Sequence, residues 1–215
     1  MSKRAFAWLG MTPLALAVAG YAVTMSFAPE LRPSFVRALF AERPVAAFVH
    51  FMGGAIALVA GAFQLNTRLR TRFIGVHRWF GRLYVVAVVI GGVAALALAL
   101  HSFGGLIGHA GFGLLAVCWM GSTLNAYRHI RQGNLSTHRN WMIRSYALTL
   151  AAVTLRIYLP SSQLAGIPMM VAYPAIAWLC WVPNLLIAEW FVRSRHALAM
   201  LPNNLFKPKL LRGLA

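Results

Sequence analysis

Apolar residues fall in six long blocks along the chain, at about 6–27, 45–65, 75–100, 106–127, 138–159 and 169–191, with basic clusters and short turns between them. Each block approaches the roughly 20 residues that an α-helix needs to cross a hydrocarbon layer about 30 Å thick, and none shows the strict alternation of a half-buried strand. The pattern predicts an all-α polytopic membrane protein with six transmembrane helices. The residues left over are too few for a soluble domain, so 1–215 reads as a single membrane domain ending in a basic cytoplasmic tail at 192–215. The short turns "HSFGGLIG" and "LPSSQLAGIP" make spans three and four, and five and six, antiparallel neighbours, and spans two to five are expected to form a central four-helix bundle. Ser136 is the expected N-cap of span five. Pro168, Pro174 and Pro183 make span six the one predicted to kink.

Composition sharpens this picture. The hydrophobic fraction is 60% and the mean hydropathy +0.68, beyond what a water-soluble domain carries. Twenty Lys and Arg stand against three acids, Glu30, Glu42 and Glu189. Such a balance alone would suggest nucleic acid. The cations, however, sit in short clusters between apolar blocks, with no basic helix or aromatic platform apart from the membrane; that is anchoring on anionic lipid, and it excludes nucleic acid as a partner. Arg32, Arg37, Arg43 and Arg156 fall on one side and the remaining Lys and Arg on the other. The excess places both termini in the cytoplasm, for a multi-pass protein of the bacterial inner membrane. Cys118 and Cys180 stand singly in apolar blocks, which excludes a disulfide framework, a zinc ribbon and covalent c-type haem. The first block has the basic start and apolar core of a signal peptide, but Pro29 after the candidate site at Ser26 and Ala28 disfavours cleavage, so it reads as a retained span.

Candidate chemistry comes from the histidines. His50, His77, His109 and His138 fall in the first turns of four successive spans. Because the spans alternate in direction, His50 and His109 share one level near the outer face, and His77 and His138 share another near the cytoplasm. Two stacked imidazole pairs in one antiparallel bundle suit two six-coordinate b-type haems, each needing two neutral nitrogens on opposite sides of an iron. A flat macrocycle needs space beside its ligand. Glycine stands at i+4, on the same helix face, in three cases: Gly54, Gly81 and Gly113. Met142 breaks the rule after His138. The blander reading is headgroup contact for the histidines and close helix packing for the glycines. His101, His129 and His196 are assigned to the interface.

Arg78 and Arg139 directly follow two of the candidate ligands and suit either a haem propionate or a lipid phosphate. Arg156 stands alone near the outer end of span five, where a propionate, an acidic substrate or snorkelling to the interface would each account for it. Glu189 is expected to pair with Arg82 or Arg144.

The stretches "HRWFGRLY", "HRNWMIRSYALTLAAVTLRIYLP" and "WLCWVPNLLIAEW" resemble a bacterial family of six-helix membrane proteins of unknown function, over about residues 46–192. The arrangement of four central helices with paired histidines and two flanking helices resembles the ascorbate-type transmembrane di-haem cytochromes b. Carried over by position, that second resemblance implies an outer haem held by His50 and His109 and an inner one held by His77 and His138. It implies transmembrane electron transfer, with quinone, a small reductant or ferric iron as partner. No ascorbate-site motif is present. The competing reading is a non-redox accessory subunit or lipid-binding scaffold of a larger membrane complex. A transporter fits less well, for want of intramembrane acids and repeated broken helices, and a retinal protein is excluded because no span carries a lysine.

Overall fold

The computed structural model describes residues 3–64 and 66–200, so the part of the basic tail that carries Lys207, Lys209 and Arg212 lies outside the described residues. Helices α1 (Lys3–Phe27), α2 (Ser34–Glu42), α3 (Pro44–Gln64), α4 (Thr67–Arg72), α5 (Ile74–Ala99), α6 (Gly105–Arg131), α7 (Leu135–Thr149), α8 (Ala151–Leu164), α9 (Met169–Leu179) and α10 (Val182–Met200) follow in order, with a 3₁₀ turn at Pro29–Leu31. Among the described residues, six stretches are long and apolar enough to cross a membrane: Gly10–Phe27, Pro44–Gln64, Ile74–Ala99, Gly105–Arg131, Leu135–Leu164 and Met169–Ser194. No strand occurs among the described residues. The protein is a six-helix polytopic membrane protein. Its outward faces carry large apolar side chains such as Val86, Ile90, Val93, Leu186 and Ile187, exposed on the protein and suited to lipid.

Contacts close the four-helix bundle in a ring: α3 packs on α5, α5 on α6, α6 on α7, and α7 returns to α3. Hence α3 stands across from α6, and α5 across from α7. Helix α1 lies against α3 and α8, while α9 lies on α6 and α10 on α7. Helices α3 and α5 meet backbone to backbone, where a Cβ on Gly53 would stand 2.9 Å from the Cα of Gly91. No side chain larger than hydrogen fits at that crossing without moving a helix. Gly61 likewise makes room for the ring of Tyr146, whose hydroxyl donates to Leu58 O at 3.2 Å.

Hydropathy blocks did not disclose α2 and α4, because neither is long enough to register as a span. Helix α2 is amphipathic, burying Val36 and Phe40 while Arg37 is exposed. Span five is interrupted at Leu150, between α7 and α8. One cause is local: the Thr149 hydroxyl donates back to Ser145 O at 3.1 Å, a competitor for the helical ladder. Span six breaks at Cys180–Trp181, just ahead of Pro183 in the first turn of α10, where proline's missing N–H is tolerated. The expected cap of span five is displaced. Asn134, not Ser136, is the N-cap, its Oδ1 accepting from Thr137 N at 3.1 Å, while Ser136 Oγ merely donates to the same oxygen. Gly133, at φ +77°, turns the chain out of α6 one residue earlier and so moves the start of α7 forward.

Candidate functional site

The four candidate histidines stand on α3, α5, α6 and α7, one on each helix of the ring. His50 and His109 are therefore on one across-bundle pair of helices, and His77 and His138 on the other. Three of the four rings are held by main-chain carbonyls. His50 Nδ1–H donates to Gly91 O at 3.2 Å, His109 Nε2–H to Ser102 O at 2.9 Å and His138 Nδ1–H to Ala126 O at 2.8 Å. A carbonyl only accepts, so in a neutral imidazole each bond fixes the tautomer and leaves the lone pair on the other ring nitrogen. His77 is different: its Nδ1 is buried with no partner, while its main-chain carbonyl accepts from Gln64 Nε2 at 2.7 Å. His77 and His138 lie within electrostatic reach of one another, and Arg70 and Arg78 lie within reach of His77.

The i+4 glycines, like Gly75 and Gly121, stand apart from the glycines that meet a neighbouring helix. A Cβ on Gly54 or Gly113 would meet no heavy atom within 4 Å, and one on Gly81 would meet only the Gln64 side chain, at 3.7 Å. Helix contact therefore does not account for Gly54 or Gly113. Close packing is instead the business of Gly53, Gly61, Gly91, Gly92 and Gly111.

Arg78 and Arg139 are both exposed. Arg156 is half-buried, with Nη1 donating to Ala152 O at 3.0 Å and its guanidinium carbon 4.9 Å from the ring centre of Tyr21 and 5.8 Å from that of Phe51. Glu189 pairs with Arg144 at 2.7 Å, as expected, and also with Arg193 at 2.9 Å. Arg144 in turn lies over the ring of Trp141 at 4.8 Å, so this corner ties α7 to α10. Of the histidines assigned to the interface, His101 is exposed and meets Arg43, whereas His129 has a buried Nδ1 without a partner.

Between the two histidine levels the bundle is filled by a cluster that sequence reasoning missed. Tyr84 is fully buried at 0% exposure. Its hydroxyl lies 2.7 Å from both Ser145 Oγ and Thr149 Oγ1; Trp119 Nε1 donates to Thr149 Oγ1 at 2.9 Å, and Thr123 Oγ1 lies 2.6 Å from Ser145 Oγ. Hydroxyls in an apolar layer must find partners within the protein, and here α5, α6 and α7 supply one another's. Its trace in the sequence was the i, i+4 pairing of Ser145 with Thr149 and of Trp119 with Thr123, which puts each pair on one helix face. Tyr84 stands seven residues after His77 and seven before Gly91, the acceptor of His50, so all three share a face of α5.

A family model described as "Predicted membrane protein (DUF2306)" matches residues 47–192. No curated protein and no solved structure matches the chain.

Proposed function

The chain belongs to the DUF2306 family of predicted membrane proteins, and we propose that it carries electrons across the membrane through two bis-histidine b-type haems. His50 and His109 would hold one and His77 and His138 the other. The observation that carries this reading is the way the imidazoles are held. Metal-bound histidines ordinarily donate their second ring N–H to a carbonyl or carboxylate, which orients the ring and leaves a lone pair for the metal. His50, His109 and His138 have that arrangement without any metal being invoked, and His77 offers an unpartnered buried nitrogen. Open space beside Gly54 and Gly113 fits a flat group lying against the neighbouring ligand. Haem, when bound, supplies one-electron chemistry at each level. The chain's own part is to fix the two levels, to hold acidic side arms with cations such as Arg78 and Arg139, and to keep solvent out between them.

The filled centre supports electrons rather than solutes as the cargo. The rise from His77 to Gly91 along α5 is about 21 Å, and the Tyr84 cluster plugs the bundle between them. A solute would need a path through that plug, whereas an electron needs only two redox centres near enough to exchange. The cation distribution supports termini on the cytoplasmic side of a bacterial inner membrane, which would make His50 and His109 the outer pair. Quinone, a small reductant or ferric iron would then exchange electrons at a face.

Haem stoichiometry in four single variants tests the pairing. His50→Ala and His109→Ala should each lose the same haem and keep the other, and His77→Ala and His138→Ala should each lose the second. Variants that keep full haem content while folded would contradict the assignment of those ligands.

A further inference from the structure

Arg156 lies eight residues before the end of α8 at Leu164, about 12 Å below it at 1.5 Å per residue. A long cationic side chain at such a depth ordinarily reaches outward to the interface. This one is turned the other way, since Nη1 donates to Ala152 O, one helical turn nearer the middle of the span. There the guanidinium lies over the faces of Tyr21 from α1 and Phe51 from α3, with His50 within electrostatic reach. Its Nε–H is buried and has no partner. Both ion pairs among the described residues belong to Glu189, and the chain's other two acids, Glu30 and Glu42, are exposed. An arginine does not give up its proton, so an uncompensated positive charge sits among aromatic rings inside the membrane.

We propose that Arg156 is the head-binding residue of an intramembrane carboxylate site, taking the carboxylate of a long-chain acid or a propionate of the outer haem. With Nη1 on Ala152 O and Nε without a partner, the Nε/Nη2 edge has two parallel N–H groups whose spacing matches the two oxygens of a carboxylate, and a ligand there displaces the atoms that now cover Nε. The rings of Tyr21 and Phe51 exclude water and strengthen that attraction. The bond from Nη1 to Ala152 O turns the guanidinium back from the interface, where a lipid phosphate belongs. A planar, singly charged head on an apolar body suits both the depth and the single cation. The site does not depend on the haem reading, because a free acid and a propionate present the same head.

Thermal unfolding of the full chain in non-ionic detergent, titrated with sodium dodecanoate and with dodecanol as the uncharged control, tests it alongside the relative affinities for haem and haem dimethyl ester. A free-acid source predicts that dodecanoate raises the Tm, that dodecanol does not, and that Arg156→Gln loses the response. A propionate source predicts about a ten-fold or greater preference for haem over its dimethyl ester, lost in Arg156→Gln. Either result supports the site, and the dodecanoate arm is read whether or not haem binds. Removing an unpaired buried charge should not unfold the ligand-free chain, and Arg156→Lys, which keeps the charge but lacks the fork, should weaken whichever ligand binds. Equal behaviour of wild type and Arg156→Gln toward dodecanoate, haem and the dimethyl ester would overturn the proposal. That is the outcome expected if Ala152 O and the two rings are all that the guanidinium serves.

Discussion

Gly53 and Gly54 are neighbours in α3 with opposite surroundings. A methyl group at Gly53 would press on the backbone of α5 at Gly91, whereas one at Gly54 would touch no protein atom. Gly53→Ala is therefore expected to destabilise the bundle by about 1–3 kcal/mol, the usual cost of overpacking. Gly54→Ala should instead be neutral or stabilise by up to about 1 kcal/mol through helix propensity. Unfolding midpoints in detergent would check both. Gly54→Leu and Gly113→Leu separate packing from ligand binding more sharply: both should leave stability near wild type while expelling or distorting the haem of the His50–His109 pair. Unchanged spectra in both would remove the glycine offset as a haem signature. The sequence singled out Gly54, Gly81 and Gly113 because an i+4 offset is readable within one helix. Gly53, Gly61 and Gly91 were not readable, because what makes them necessary is the neighbouring helix, and a single sequence does not say which faces meet.

At the scale of the element, the six blocks were legible because the bilayer imposes one length and one polarity on every span. Their interruptions were less so. Span six was expected to kink and is interrupted beside Pro183, a residue with a local mechanism. Span five breaks with no proline at Leu150, next to a threonine hydroxyl shared between its own backbone and Tyr84. Tyr84→Phe removes the hydroxyl that joins Ser145 to Thr149, and should cost about 1–3 kcal/mol, since each partner loses one of its bonds in a medium with no water to replace it. Equilibrium unfolding in mixed micelles would show it, with haem content unchanged if the cluster only spaces the two levels. The cap of α7 shows how narrow such distinctions are. Asn134 and Ser136 are both good caps two residues apart, and the left-handed turn at Gly133 chooses between them. Asn134→Ala should cost about 1 kcal/mol and Ser136→Ala much less, measured by the same unfolding assay.

For the whole molecule, parity carries most of the argument. Six candidate spans would bring both chain ends to one face, and the same alternation would sort the four histidines into two levels. Cysteine labelling on a background with Cys118 and Cys180 replaced would fix the orientation: Gln132→Cys, in the turn between α6 and α7, should react only from the cytoplasm, and Ser102→Cys, in the turn between α5 and α6, only from outside. Reversal would exchange the outer and inner assignments and leave the pairing intact. The proposed pairing rests on helix direction alone. The Tyr84 cluster between the levels was not legible in the sequence, because three helices build it and its members look unremarkable in each. The central claim, that the two levels hold haem, is tested most directly by the dithionite-reduced minus oxidised absorption spectrum of the purified chain, with haem per chain counted as the pyridine haemochrome. Two b-type haems per folded chain is the predicted result; a fully helical, monodisperse chain produced with ample haem and showing no haem absorption would contradict it.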